Sequence, residues 1–446
     1  MKRLISLALC LMMVITLLTA CGGKTETPET SKTPTVNNTE TKTEPEPTKK
    51  VELKLSLWGN DERKVKFEEL LKPFEEANNC TVEVVLVPFD EYMQKLSIQL
   101  ASKSAPDVIW LAEKMVPQFI ESGELVDLSA ALKADTEYDF GDFFPSTLDL
   151  FTRGNEIYGI PFSFGPRVIY YNKTLFEAKG LPTPTELYKE GKWTLDAFFE
   201  SAKALTDSSN GVYGMKLQGA TEPTAYMNSL YDIVLSNGAE YFNDDMTEFV
   251  LNSEGGINAM TRYYNALFVD ESHVKPGDQT QFETGKIAMA RDTFSYAANL
   301  RGKVDFEWDI VAAPKGSDPK AKVTSGFANY SVTKGENQEL GIKLAMFLTS
   351  KDTMMNLVST FPSPRSSVLG SDAFLNQPEG LPSAESVKIA FVDQIESPGV
   401  KAYPSHENYQ KIDVEINRLF ELMFTKEYTP DKIVEMMKEA VDPLLK

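Results

Sequence analysis

Cysteine and histidine are scarce in this sequence of 446 residues, which contains three cysteines and two histidines. Cys10 and Cys21 belong to an N-terminal region that we expect to be processed, which leaves Cys80 without a disulfide partner. Cys80 opens the strand-like segment "NNCTVEVVLV". We expect a small core residue there, since no neighbouring basic side chain would stabilise a reactive thiolate.

Motifs of the common enzyme classes are also missing. The sequence has no G-x-S-x-G elbow, no glycine-rich phosphate loop and no H-E-x-x-H pair. The two histidines, His273 and His406, lie in polar, loop-like segments, which argues against a His-based catalytic centre or a zinc site. Paired carboxylates of the glycosidase type stay open, because Asp and Glu are plentiful. No metal or other cofactor is expected.

Basic residues are outnumbered, with 45 Lys and Arg against 65 Asp and Glu and a net charge of −20. This balance argues against a nucleic-acid partner, because such binding relies on the neutralisation of phosphates. It excludes little else, since many exported proteins are acidic for solubility.

Long apolar runs are rare, but residues 4–19 form one directly after Lys2 and Arg3. A membrane span needs about 20 apolar residues, so this run is short for one. It is typical of a secretory signal peptide, here residues 1–20. The sequence "LTAC" at its end resembles the bacterial lipobox, in which Cys21 becomes the first mature residue and carries lipid, palmitate included. An ordinary signal peptide with an incidental cysteine is the alternative.

The segment that follows, residues 21–50, is rich in Thr, Glu, Lys and Pro. It cannot bury enough surface to offset the entropy of ordering, so we expect it to be disordered. A coil of this length spans roughly 30 Å, which suits a tether between a membrane and a globular body.

The body begins with an alternation of strand and helix patterns and is long enough for two lobes. "VELKLSLWGN", "CTVEVVLVPF" and "PDVIWL" are strand-like, and "DERKVKFEELLKPFEEANN" and "DEYMQKLSIQLASKSA" are helical. Asn78 and Asn79 are expected to end the first helix, and Asp90 to cap the second. This βαβαβ order predicts an α/β fold with a parallel sheet covered by helices.

The rest of the body is more helical. Short strands are predicted at residues 157–161 and 168–171, on either side of a loop "FSFGP", and later at "FEWDIVAAP" and "FANYSVT". Helices are predicted for "WTLDAFFESAKALT", "AYMNSLYDIVLSNG", "SEGGINAMTRYYNALFV", "TQFETGKIAMA" and three C-terminal segments.

Two tryptophans lie at predicted strand ends, where ligands of parallel α/β sheets bind. Trp58 and Trp110 each precede an acid by three residues, Asp61 and Glu113. An indole face packs against the apolar face of a sugar ring, and carboxylates accept hydrogen bonds from its hydroxyls. The alternative is that both tryptophans belong to the core.

Two tyrosine pairs, Tyr170–Tyr171 and Tyr263–Tyr264, raise the question of ferric iron, which some binding proteins hold with adjacent tyrosinates. No clear anion clamp and few histidines accompany them, so we expect structural roles for both pairs.

Several segments together resemble the extracellular solute-binding proteins of bacterial sugar transporters, the maltodextrin-binding-like receptors of ATP-driven importers. They are "SAPDVIWLAE", "YGIPFSFGPRVIYYNKTLFEAKGLPTP", "WTLDAFFESAKAL", "FETGKIAMARDTF", "DIVAAPKG", "GFANYSVTKGENQELGIKLAMFL" and "FPSPRSSV". The similarity extends from about Val51 to the C-terminus in the family's order.

The resemblance implies the type II periplasmic-binding-protein-like fold, in which two α/β lobes close on a ligand in the cleft between them. Chain crossings would lie at residues 162–165, 325–327 and 362–365. Lobe one would combine residues 51–163 and 327–361, and lobe two residues 164–326 and 362–446.

The resemblance also assigns ligand-binding residues. They are Trp58, Asp61, Trp110, Glu113, Phe164, Arg167, Tyr226, Asn228, Asp292, Phe294 and Tyr296, with Phe327, Arg365 and Tyr403 as weaker candidates. Because this chain has "RDTFSY" where the family has Gly and an aromatic, the stacking residue is either Phe294 or Tyr296.

The function implied is that of a lipid-anchored receptor at the outer face of the bacterial membrane. It would capture a carbohydrate, expected to be an oligosaccharide, and deliver it as a monomer to the permease subunits of an ABC importer. A sensory protein that reports its ligand to a signalling kinase, and a surface glycosidase, are the alternatives.

Overall fold

The computed structural model describes residues 50–218, 226–318, 320–396 and 399–446. The strands of these residues are β1 (Val51–Trp58), β2 (Cys80–Val87), β3 (Val108–Ala112), β4 (Thr152–Arg153), β5 (Glu156–Ile157), β6 (Ile160–Pro166), β7 (Val168–Asn172), β8 (Tyr213–Lys216), β9 (Ile287–Asp292), β10 (Trp308–Val311), β11 (Val323–Val332) and β12 (Val400–Ala402).

The α-helices of the same residues are short for the most part, with the longest at the two ends of the body. They are α1 (Asp61–Asn78), α2 (Phe89–Ala101), α3 (Val116–Glu121), α4 (Ser129–Ala134), α5 (Lys173–Lys179), α6 (Pro184–Lys189), α7 (Leu195–Leu205), α8 (Tyr226–Ser236), α9 (Glu254–Phe268), α10 (Ala297–Leu300), α11 (Gln338–Leu348), α12 (Lys351–Leu357), α13 (Ser366–Leu369), α14 (Asp372–Leu375), α15 (Ala384–Val387), α16 (Asp393–Glu396), α17 (Tyr409–Phe424) and α18 (Pro430–Val441).

A large sheet combines the first three strands with the last two in the order β12-β11-β3-β1-β2, with β6 paired to β11 as a sixth strand. Strand β1 is parallel to both β2 and β3. Leu53, Leu55 and Leu57 of β1 are fully buried, as their alternation predicts. Cys80 at the start of β2 is fully buried and unpaired, which confirms its place in the core. The predicted βαβαβ order of this region is therefore confirmed.

The predicted cap of α2 is wrong. This helix begins at Phe89, with Pro88 at the N-cap position, so Asp90 lies within the helix. Pro88 has a fixed backbone angle and separates β2 from the helix. The helix therefore starts before Asp90, which cannot be its N-cap.

Strand β11 connects several neighbours in the large sheet. It runs parallel to β12 at its start and antiparallel to β6 and then β3 further along. The predicted loop "FSFGP" is wrong, because residues 162–166 lie within β6, where Phe164 pairs with Phe327 of β11. Ladder hydrogen bonds thus override the turn-forming tendency of Gly and Pro. The predicted chain crossings at 162–165 and 325–327 lie on these two paired strands. The lobe boundaries stay predictions.

A small sheet of order β10-β7-β9-β8 follows, with β7 antiparallel to β10 and β9, and β8 parallel to β9. The helix predicted for "TQFETGKIAMA" is wrong, because Ile287–Asp292 is strand β9 and every residue of it is buried. Gly285, with a φ of 69°, turns the chain just before this strand. A strand buried on both faces shows no alternation, so periodicity could not identify it.

Both tyrosine pairs contribute to packing. Tyr170 and Tyr171 are buried in β7; the Tyr170 hydroxyl donates to the carbonyl oxygen of Thr293 at 2.8 Å, and the Tyr171 hydroxyl to Oγ1 of Thr185 at 2.9 Å. The other pair lies in α9, with its first ring buried and its second packed against the helix core. These contacts support the structural roles expected for both pairs.

Among the described residues, none of the helices has the length and apolarity that a membrane span requires. The predicted signal peptide, Cys21 and nearly all of the tether fall in residues 1–49, outside the described part of the chain.

Candidate functional site

Trp58 ends β1 at the carboxyl edge of the large sheet and is half-buried. Its ring centroid lies 5.4 Å from that of Phe89 and 4.9 Å from that of Trp110, in edge-to-face geometry. Phe89 is 45% exposed, so the rings of Trp58 and Phe89 form an accessible aromatic surface. Such a surface fits the apolar face of a sugar, which agrees with the prediction for Trp58.

Trp110 has a different position from the predicted one. It is fully buried in β3, where its ring contacts Phe162 at 4.6 Å and Tyr330 at 6.0 Å between centroids. The prediction that Trp110 itself stacks on a ligand therefore does not fit this structure. Strand β3 is an interior strand whose residues are all buried. Trp110 therefore packs against the inner side of Trp58 and does not face solvent.

Helix α1 starts directly after β1 and brings charged groups to the same edge. Asn60 caps it, with Oδ1 accepting from the N–H of Arg63 at 3.1 Å, and the predicted ligand residue Asp61 is exposed. The Arg63 side chain, which sequence analysis missed, donates from Nη1 to the carbonyl oxygen of Trp58 at 2.8 Å. A Cβ on Gly59 would lie 2.7 Å from the Arg63 Cδ, so this approach needs glycine.

Glu113 follows β3 and ties it to the crossing strand β11. Its Oε2 accepts from the N–H of Phe327 at 3.1 Å, and its own N–H donates to the carbonyl oxygen of Phe327 at 3.1 Å. Phe164 and Phe327 are both buried, so the prediction that these two rings contact a ligand does not fit. Paired across neighbouring strands, they pack into the core beside Glu113.

The chain between β12 and α17 approaches the same strand end. Ser405 Oγ donates to the carbonyl oxygen of Lys114 at 3.3 Å, and the Lys114 ammonium lies 5.4 Å from the ring centroid of Tyr409. Sequence analysis missed these residues, since a Ser or Tyr in a loop carries no distinguishing pattern. The contact brings a segment predicted for lobe two against a strand end predicted for lobe one.

Buried charges connect β11 to the small sheet. Arg291 of β9 donates from Nε to Oδ2 of Asp232 at 2.8 Å and from Nη2 to the hydroxyl of Tyr403 at 2.9 Å. Asp232 Oδ1 also accepts from the N–H of Thr324 at 2.8 Å. The predicted ligand residue Arg167 is half-buried and donates from Nε to the same Tyr403 hydroxyl at 3.1 Å.

The predicted residues after β9 point mostly inward. Phe294 and Tyr296 are buried, and the Tyr296 hydroxyl donates to a carboxylate oxygen of Glu283. Neither ring is presented for stacking in this structure, because the exposed residue of the turn is Ser295 between them. Asp292 is buried and its Oδ1 accepts from the N–H of Thr293 at 2.7 Å.

Two predicted residues lie in the first turn of α8. Tyr226 is half-buried, and its ring stacks on that of Phe420 in α17 with 5.0 Å between centroids. One face of the tyrosine ring is therefore covered by the helix core. Asn228 is 3% exposed, and neither its Oδ1 nor its Nδ2 has a hydrogen-bond partner among the described residues. A buried amide without partners is costly, which is consistent with the predicted ligand contact.

Arg365 is not available to a ligand. It is 1% exposed and donates to the backbone carbonyls of Thr349, Asp139 and Tyr138 at 2.8–2.9 Å. Its guanidinium also lies 4.3 Å from the ring centroid of Phe143. The predicted ligand role is therefore wrong in this structure: Arg365 joins three loop segments, a pattern of contacts that a single sequence does not reveal.

His273 is not in a polar loop setting either, because it is 2% exposed. Its Nε2 accepts from the N–H of Leu217 at 3.0 Å, and burial lowers its pKa to about 4. The imidazole is thus neutral and structural at neutral pH.

Two open surface cavities lie away from these groups. One, of about 620 Å³, is lined by α4 and α11 and includes Ile342 and Met346; the other, of about 440 Å³, includes Leu100 and Lys334. Neither is lined by a predicted ligand residue. The aromatic edge at Trp58 is the better candidate, since it unites accessible rings with charged groups.

The fold and this edge define a class. A large mixed sheet whose paired strands β6 and β11 lead to a second sheet is the architecture of the type II solute-binding proteins. Solved structures that superpose on nearly the whole body confirm the predicted fold class. A profile described as bacterial extracellular solute-binding protein matches residues 60–355. The chain belongs to this family.

Individual relatives are distant. A binding protein of Brucella abortus is 27% identical over an alignment of 306 residues that covers 64% of this chain and 69% of the relative. The galactooligosaccharide-binding protein of Bacillus subtilis is 23% identical over an alignment of 315 residues that covers 67% of this chain and 69% of that protein. An ABC substrate-binding protein of Listeria monocytogenes, solved with cycloalternan, has a TM-score of 0.75 at 24% identity and covers 89% of this chain and 99% of its own.

Proposed function

We propose that this protein is the extracellular receptor of an ABC importer and that its ligand is a carbohydrate, an oligosaccharide in particular. The observation that carries the proposal is the accessible aromatic surface of Trp58 and Phe89 at the carboxyl edge of the large sheet. Membership of the solute-binding family supports it, as do the names of the galactooligosaccharide and cycloalternan binders among similar proteins.

In this proposal the protein binds its ligand and leaves it chemically unchanged. The ring faces pack on the sugar, while Asp61 and the Asn228 amide exchange hydrogen bonds with its hydroxyls. Two lobes, with the boundaries predicted from sequence, close around β6 and β11, where few residues need to change backbone angles. A closed receptor then presents the ligand to the permease. Recovery of bound glycan with altered mass would contradict a pure binding role.

Replacing Trp58 by alanine is expected to weaken carbohydrate binding by about tenfold or more, because the stacking surface is lost. Binding of a broad neutral and acidic glycan panel to the full chain is measured by calorimetry and by the shift in melting temperature, which bound ligand raises. Tyr428→Ala is the control, since Tyr428 is 36% exposed in the turn after α17 and lies outside the proposed site. Equal affinities of the Trp58→Ala variant and the wild type would remove Trp58 from the site; absence of any glycan binding would overturn the carbohydrate proposal.

We further propose that Cys21 carries the lipid that anchors the receptor to the outer face of the membrane. In a bacterial host fed labelled palmitate, the wild type is expected to incorporate label and remain with the membrane, and Cys21→Ala to lose both properties. Cys10→Ser is the matched control, because Cys10 lies in the apolar run that is removed with the signal peptide. Labelling of the Cys21→Ala variant at the wild-type level would refute the anchor.

A further inference from the structure

Arg63 is a half-buried cation at the edge of the candidate site. Its guanidinium carbon lies 5.6 Å from the ring centroid of Trp110 and 5.4 Å from that of Phe361. Of its five N–H donors, the described residues provide one acceptor, the carbonyl oxygen of Trp58. Most of the hydrogen-bonding capacity of the guanidinium is therefore unused within the described chain.

No described carboxylate lies within ion-pair distance of Arg63. Beneath it lie the buried indole Nε1 of Trp110 and the buried hydroxyl of Tyr330, two neutral groups that face each other and supply no negative charge to Arg63. Burial lowers the pKa of the Arg63 guanidinium, which shows that its surroundings disfavour the charge. A charge held in this way is unusual, because two ring faces and one carbonyl oxygen compensate only part of its desolvation and no counter-ion compensates the rest.

The backbone around Arg63 favours negative charge. Arg63 lies in the first turn of α1, a helix of 18 residues, whose N-terminus carries partial positive charge. The acids of the same turn, Asp61 and Glu62, are exposed and make no ion pair with Arg63. Their repulsion of an incoming anion is screened by salt at the surface, while the half-buried guanidinium is screened less.

We propose that Arg63 recognises an anionic substituent of the ligand, so that the preferred carbohydrate carries a carboxylate, sulfate or phosphate group. This inference rests on the proposed carbohydrate-binding function and adds the chemical class of the ligand. The anion supplies the acceptor oxygens that Arg63 lacks, in the bidentate geometry that a guanidinium favours. Trp58, whose carbonyl oxygen holds Arg63 in place, stacks on the ring that bears the anion.

The test compares matched glycans on the full chain: a neutral galacto-oligosaccharide, the corresponding oligogalacturonide, and sulfated and phosphorylated derivatives of the neutral sugar. Arg63→Gln is expected to lower the affinity for the acidic glycans by about tenfold or more and for the neutral glycan by about twofold at most. Arg63→Lys should retain most of the preference for the acidic glycans. Lys66→Gln, which removes an exposed charge from the same helix, should leave every affinity unchanged.

The outcomes separate the two proposals. If Arg63→Gln weakens neutral and acidic glycans equally, Arg63 only supports the turn at Gly59, and anion recognition is refuted while carbohydrate binding stands. A wild type that prefers the neutral glycan to the acidic glycans would also refute anion recognition. If none of these glycans binds while the broad panel yields only neutral ligands, anion recognition is refuted; absence of binding to the whole panel overturns the proposed function itself. Among acidic glycans, the tightest ligand identifies the anion as carboxylate, sulfate or phosphate.

Discussion

Replacing Trp110 by alanine is expected to lower the free energy of unfolding by about 3–5 kcal/mol. The indole is fully buried and packs against rings from three directions: Trp58 on β1, Phe162 on β6 and Tyr330 on β11. Alanine would leave a cavity that these strands cannot close, because their positions are fixed by ladder hydrogen bonds. Urea denaturation followed by circular dichroism measures the change.

Trp58→Ala is the matched control for this experiment. Trp58 is half-buried at the sheet edge, so its loss should cost less stability but more ligand affinity. The two variants are therefore expected to separate packing from binding. A Trp110→Ala variant that unfolds at the wild-type urea concentration, or that loses affinity at full stability, would show that the indole is a ligand surface after all.

Replacing Arg291 by methionine is expected to cost about 3–5 kcal/mol of unfolding free energy. The Arg291 and Asp232 side chains are 5% and 7% exposed, so removal of the cation leaves a carboxylate buried without its counter-ion. Two of the interactions of Asp232, with the N–H and hydroxyl of Thr324, would remain but cannot neutralise the charge. The variant is measured by the same denaturation as above.

A second substitution distinguishes loss of the charge pair from loss of packing. The double variant Arg291→Met with Asp232→Asn removes both charges, keeps an acceptor for Thr324 and is expected to recover a large part of the stability. Arg418→Gln is the exposed control, since its pair with Glu415 lies on the surface of α17 and should contribute about 0–1 kcal/mol. Equal stabilities of the single and double variants would show that the buried charge is not the cause.

The position of this ion pair connects stability to the proposed closure. Thr324 begins β11 and Arg291 lies in β9, so the pair and its partners fix the start of the crossing strand against the small sheet. Tyr403 receives hydrogen bonds from both Arg291 and Arg167. A polar cluster joined by several hydrogen bonds in the interior favours a single arrangement of the strand over many.

The sequence determined those parts of the fold whose patterns are local. The alternating leucines of β1, the helical spacing in α1 and the asparagine that ends it predicted the βαβαβ unit, and Asn79 adopts the left-handed conformation at that helix end. The wrong helix at "TQFETGKIAMA" and the wrong loop at "FSFGP" share one cause: both segments are strands stabilised by neighbours distant in the chain. Local patterns do not contain that information.

For the site, the sequence by itself determined which edge carries the aromatic and acidic residues, because strand ends follow from strand patterns. Tertiary structure alone decided which of those side chains are accessible: Trp58 is half-buried and available, while Trp110, Phe164, Phe327 and Arg365 are enclosed. It also placed Arg63 over the rings of Trp110 and Phe361. The physical reason is that exposure depends on which strands and loops pack together across long separations in sequence, and a residue type does not specify them.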